Sequence, residues 1–245
     1  MTTVAVLADP PFEGFVLPAL ADGPLSEADA ANLYEAMLAD VCRAVEASGA
    51  ELLVNVRPDE QVPGDDSERA IREAVEPHLE QPADARFEVQ VGSTKSARAG
   101  NTVTHLLERE GVQTAAVVEP SGAFLARQQI DSAAMKLRSE DVVLGPSTDG
   151  RVYYAGFREP IDFTDAFETP TVETLVERAR EADLSVGFLP TVPVIERPAD
   201  LHTAIPQLRA RRAAGRRVPE RTAERIETLG LRVVEENGAP ALARQ

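Results

Sequence analysis

The feature that most constrains this chain is a repeating alternation of short apolar runs and amphipathic segments. Val4–Ala8 is an apolar run closed by Asp9-Pro10-Pro11, which reads as a buried strand entering a loop. Ser26 is placed to cap a helix whose Leu33, Met37, Val41 and Val45 recur every four residues. The pattern then repeats. Strands are expected at 51–56, 87–91, 114–118, 141–144, 151–157 and 184–189. Helices are expected from a Ser67 cap, over 101–110 up to Gly111, over 126–138, and from Thr169-Pro170, where a cap precedes a proline. Two arginine-rich helices and a hairpin over 233–242, turning at Asn237-Gly238, close the chain. Strands interleaved with helices predict an α/β domain, a mostly parallel sheet with helices on both faces and right-handed crossovers. A compositional shift near residue 205 divides the expected organisation into a core domain, 1–205, and an Arg-rich helical and hairpin extension, 206–245, packed on it.

Composition removes several function classes. The 245 residues carry 41 acidic and 25 basic side chains, a formal charge of −16, and only Lys95 and Lys136 are lysines. Such a surface repels nucleic acid over most of its area and suits high salt, where the screening length falls to about 3 Å at 1 M. Lone acids are therefore read as solvation, and only carboxylates at strand ends are kept as candidates. Cys42 falls in an apolar helical stripe and reads as a small buried hydrophobe; the three histidines show no ligand spacing. No apolar run approaches the roughly 20 residues of a membrane span, and no basic region precedes an apolar start, so a cytoplasmic protein without membrane contact is expected.

In open parallel sheets ligands bind beyond the carboxyl ends of the strands, so chemistry is expected in the segments that follow each strand. The most informative is 141–157, a strand running into Gly145-Pro146, a turn with Asp149-Gly150, then Tyr153-Tyr154 and Gly156. Here the chain resembles the glycosyltransferase-like proteins of the nucleotide-diphospho-sugar transferase superfamily, relatives of the molybdenum-cofactor and phospholactate nucleotidyltransferases. The helix opening at 167–172 and the segment Val194-Ile-Glu-Arg-Pro-Ala-Asp-Leu201 agree with that family in order and spacing. The resemblance covers roughly 1–205 and implies an A-type glycosyltransferase fold. It also implies a nucleotide or nucleotide sugar at the strand ends, and magnesium or manganese held by carboxylates. Carried over by position, it assigns Asp149 as catalytic and Glu119, Asp149 and Glu196 as metal ligands. Gly14, Lys95, Arg98, Gly145, Gly150 and Tyr153 become nucleotide-binding candidates. Hard cations take such oxygen ligands and offset charge on a leaving phosphate.

The chain departs from the family at its first loop, where phosphate-gripping basic residues are expected. No Lys or Arg precedes Arg43, and the loop carries Asp9 and Glu13. The segment Gly92-Ser-Thr-Lys-Ser-Ala-Arg-Ala-Gly100 offers Lys95 and Arg98 ahead of a helix, and reads as a compensating anion site. The arginines at 209, 211, 212, 216, 217, 221 and 225 lack interleaved aromatics, so pairing with acids of the same fold or of a second subunit is expected, rather than nucleic acid. Three readings stand: a metal-dependent glycosyl- or nucleotidyltransferase, a catalytically degenerate binding or assembly module, and a metal-free ligand-binding regulatory domain.

Overall fold

The computed structural model describes residues 2–21, 23 and 25–244. In chain order the elements are β1 (Thr2–Ala8), α1 (Pro18–Ala21), α2 (Glu27–Glu46), β2 (Glu51–Val56), α3 (Ser67–Val75), β3 (Arg86–Val89), α4 (Lys95–Thr104) and β4 (Thr114–Val118). Then follow α5 (Arg127–Lys136), β5 (Val142–Pro146), β6 (Val152–Phe157), α6 (Thr171–Glu181), β7 (Val186–Phe188), α7 (Pro198–Ala213), α8 (Glu220–Thr228), β8 (Leu231–Glu236) and β9 (Ala239–Arg244).

Seven strands form one sheet in the order β3-β2-β1-β4-β6-β5-β7. All neighbours are parallel except β6, which runs antiparallel between β4 and β5. The continuous apolar runs are explained by burial on both faces. Along β1, Val4, Val6 and Ala8 join the core made with α2, α3, α5, α7 and α8, while Ala5 and Leu7 face the second core, built with α4 and α6. The fold is the expected one: a mostly parallel sheet with helices on both faces.

Helix α2 starts as predicted, with a reciprocal capping box between Ser26 and Asp29. Three local expectations are corrected. Ser67 is the first helical residue, not the cap, because its backbone N–H is taken by Asp59 Oδ1 at 2.8 Å; Asp66 occupies the cap position. Helix α6 begins at Thr171, with Pro170 in the cap position after a cis Thr169–Pro170 bond, so Thr169 caps nothing. Helix α4 begins six residues before the predicted 101, because Thr94 Oγ1 accepts the Ala97 N–H at 3.1 Å; a π-helical turn, His105–Arg109, finishes it. The segment expected to be a loop therefore presents Lys95 and Arg98 from a first helical turn.

The compositional boundary at 205 falls inside α7, which runs unbroken from Pro198 to Ala213. Beyond it, α8 is tied to α2 by Asp40, whose carboxylate accepts the Thr222 N–H at 2.8 Å and its hydroxyl at 2.7 Å. The β8–β9 hairpin turns at Asn237-Gly238 and rests on α7, where Arg209 donates to the Leu231 carbonyl at 2.9 Å. Among the described residues no helix is long and apolar enough to cross a membrane.

Candidate functional site

The parallel strands β1, β2 and β4 end side by side, and each hands over to a charged residue: Asp9, Arg57 and Glu119. Parallel register makes this unavoidable, since the Arg57 N–H continues the β1–β2 ladder by bonding the Ala8 carbonyl at 3.0 Å. Arg57 Nε then lies 2.6 Å from Asp9 Oδ1. Next to them, the phenol oxygen of buried Tyr34 accepts the Asp9 N–H at 2.8 Å. Glu119 forms an ion pair with Lys95 from the first turn of α4. Asp9, Glu119, Ser121 and Glu196, with Phe15 and Tyr34, line a cleft of about 270 Å³.

A second knot closes the late side of the site. Arg151, with only 6% of its side chain exposed, reaches Asp200 through both nitrogens, at 2.6 and 2.9 Å, and Glu196 at 3.0 Å. Glu196 also accepts the Ser121 hydroxyl at 3.0 Å. Asp200 sits in the first turn of α7 and accepts the N–H groups of Glu196 and Arg197 at 2.9 and 3.0 Å, so one carboxylate both caps the helix and neutralises the arginine. Cations therefore hold all three cleft carboxylates: Arg57 on Asp9, Lys95 on Glu119, Arg151 on Glu196.

The electrostatics follow. Burial pushes the Asp9 carboxyl above its ordinary range, although Arg57, Arg98 and Lys95 pull it back. Burial opposes the charged form of Lys95, but Glu119 and Glu196 outweigh it and hold the ammonium above its ordinary range. Arg98 is pushed downward by burial and by Arg57, against the attraction of Asp9 and Glu119. Its residue is 7% exposed; one terminal nitrogen donates to the Ser93 carbonyl at 3.3 Å, and its buried Nε has no partner. Such an orphaned donor on a buried guanidinium is costly unless a ligand satisfies it.

The sequence candidates separate. Glu119 and Glu196 line the cleft, Lys95 pairs with Glu119 at its side, and Arg98 stands near enough to Asp9 to act on its charge. Asp149 does not line the cleft: its side chain is 64% exposed, 3.4 Å from Arg151 and 3.9 Å from Arg197. Asp149 and Gly150 have φ of 57° and 70°, so the Asp-Gly pair serves a left-handed turn. Gly145 and Tyr153 are packing partners, since a Cβ at 145 would stand 2.5 Å from the Tyr153 ring. The Tyr153 hydroxyl is spent on the Pro190 carbonyl at 2.9 Å. Gly14 lies in the first loop, outside the cleft lining.

Glu119, Asp149 and Glu196 do not converge as a ready cation cage. Among the described residues, the one trio with ligand atoms mutually within 4.8 Å is Glu88 on the edge strand β3, His105 and Glu110. Arg86 already occupies that trio, pairing with Glu88, with both oxygens of Glu110 at 2.9 Å and with Glu51 at 3.1 Å.

The sequence reading passed over Arg57 and Arg151. Arg57 was findable, since it directly follows an apolar strand. Arg151 was not: its partner Asp200 lies 49 residues away and nothing local announces the pair.

No protein-family model and no curated protein matches the chain. Among solved structures it is similar to a candidate nucleotide-diphospho-sugar transferase from Desulfovibrio desulfuricans G20, with TM-score 0.75, 20% identity, and coverage of 93% of this chain and 94% of that one. It is also similar to a 4-diphosphocytidyl-2C-methyl-D-erythritol synthase, with TM-score 0.50, 12% identity, and coverage of 82% and 96%. The chain has the fold of the nucleotide-diphospho-sugar transferases.

Proposed function

We propose that the chain binds a nucleotide or nucleotide sugar over the carboxyl ends of β1, β2 and β4 and transfers its sugar or nucleotidyl group. One observation carries the reading: Arg98 is buried with an unsatisfied Nε at the start of α4, beside Lys95 and Arg57, at the sheet edge where this fold places ligands. A helix N-terminus with convergent cations is a phosphate site. The phosphate grip is thus assigned to α4 and Arg57 rather than to the acidic first loop. The fold neighbours, a candidate nucleotide-diphospho-sugar transferase and a diphosphocytidyl-methylerythritol synthase, support a nucleotide-handling transferase.

The fit to magnesium or manganese is partial. Glu119 and Glu196 offer carboxylate oxygens to the cleft, whereas Asp149 stands outside it. When bound there, such an ion would supply charge neutralisation for phosphate. In that arrangement Lys95 and Arg151 hold the two carboxylates in place, and Arg57 keeps Asp9 from facing phosphate uncompensated. Because each cleft carboxylate is already paired, a binding module without transfer is the second reading.

Thermal unfolding with a panel of nucleotides and nucleotide sugars, with and without manganese, tests both. A ligand at 100 times its dissociation constant adds about 2.7 kcal/mol of stability. Arg98→Met should abolish the shift, and Glu119→Gln should remove only its metal-dependent part. No shift with any nucleotide overturns the proposal. A shift without transfer to any acceptor selects the binding module.

A further inference from the structure

A second cavity, of about 920 Å³, lies away from the cleft, between α5 and the segment that follows α7. Its lining holds five cations, Arg127, Lys136, Arg211, Arg216 and Arg217, and one acid, Asp131. Asp131 is engaged by Arg127 at 3.1 Å and by the Gly49 N–H at 3.3 Å. Among the described residues no carboxylate pairs with Lys136, Arg211, Arg216 or Arg217. In a chain of net charge −16 this is conspicuous, because acids are abundant and most arginines elsewhere have found one. Arg211 is held over the face of buried Phe124, 5.4 Å from the ring centroid, a contact that fixes its direction without neutralising it. Met135, 66% exposed, gives the groove an apolar spot.

We propose that this groove docks an acidic, extended polypeptide segment of another protein. Shape and charge select that occupant. The groove follows α5 from Arg127 to Lys136, which at about 1.5 Å per residue is a run of roughly 14 Å, the length of about four extended residues. Alternate acids on such a segment would face the arginines, and an apolar residue would cover Met135. A two-fold dimer through this surface would set five cations against the same five cations. A head-to-tail contact would leave a groove open at the end of every assembly that does not close into a ring. Nucleic acid would meet no stacking aromatic in the groove lining and would lie against a strongly negative molecule.

The test is fluorescence anisotropy of a labelled Glu-rich peptide carrying one central leucine. It is titrated with the full chain and with a double variant, Arg216→Glu with Arg217→Glu. Binding is expected to weaken as salt rises from about 0.1 M to about 1 M, where screening shortens from ~10 to ~3 Å. The double variant should bind at least about tenfold more weakly, about 1.4 kcal/mol, with an unchanged unfolding midpoint. Lys136→Glu, on the opposite wall, should weaken binding independently. Absence of peptide binding overturns the proposal, as does equal binding by the variants. Tighter binding of a single-stranded oligonucleotide or of tripolyphosphate than of the peptide overturns it too. So does sedimentation showing self-association that the double variant abolishes. Nucleotide-induced stabilisation at the strand-end cleft is read separately, so failure here leaves that site's reading intact.

Discussion

The two ends of α7 handle charge in opposite ways. At its start, Asp200 is buried and grips a buried arginine with both oxygens, while also receiving two backbone N–H groups. At its end, Arg211, with Arg216 and Arg217 just beyond, stands at a groove with a single, already engaged acid. Both are written in the same few residue types. The first arrangement supports the cleft structurally, because that buried carboxylate is committed to Arg151 and to two backbone N–H groups. The second is a surface whose charge is left available. An Arg or Asp has no meaning by type; the satisfaction of its partners gives it one.

The sharpest way to break this contrast is Arg151→Ala. It leaves Asp200, 6% exposed, and Glu196 without their cation. Removing one member of a buried pair costs about 3–5 kcal/mol, because the remaining charge stays desolvated. Urea denaturation should show that loss, and Ser121 and Glu196 should lose their fixed position at the cleft. A loss below about 1 kcal/mol would mean that the knot is solvated and supports nothing.

The pH dependence sharpens the same comparison with a smaller effect. Burial would raise the Asp200 carboxyl, but Arg151 and the two backbone donors outweigh it and hold it below 3.8. The stability this gives is complete above 3.8 and is lost as pH falls through the lowered value. Asp40, under α8, has the opposite sign. Burial lifts its carboxyl above 3.8 in spite of the donors from Thr222 and Arg221. Its ionisation opposes folding, so stability is lost as pH rises from 3.8 through the raised value. Urea midpoints measured across the acid range should therefore show Asp40→Asn removing a decline on the rising side. Arg151→Ala should flatten the loss on the falling side. Identical profiles for both variants would show that neither carboxylate titrates as its surroundings require.

Much of the fold was legible because periodicity carries it. The four-residue stripe from Leu33 to Val45 and the doubly buried strands could hardly be anything else. The antiparallel insertion of β6 between β4 and β5 was not legible, since an apolar strand reads the same in either direction. At the site, Glu119 and Glu196 could be placed by the strand-end rule. Asp149-Gly150 drew a chemical reading because the pair resembles a motif, yet its two left-handed residues account for it as a turn. Lys95 and Arg98 were noticed as basic residues. Their role depended on where α4 begins, and a single threonine hydroxyl at position 94 decides that. Contacts that span the chain, such as Arg151 with Asp200, leave no local trace at all.

The smallest effect is the most discriminating about the groove. If Arg216 and Arg217 were hidden members of a structural network like Arg151, replacing both by alanine would destabilise the chain. They are exposed, and among the described residues no acid pairs with them. The double substitution should therefore change unfolding free energy by less than about 0.5 kcal/mol per site, the range of surface positions without special contacts. Relief of repulsion among the clustered cations should raise stability slightly at low salt, an effect that vanishes as the charges are screened. A loss of several kcal/mol would place these arginines in the same category as Arg151 and remove the difference between the two ends of α7.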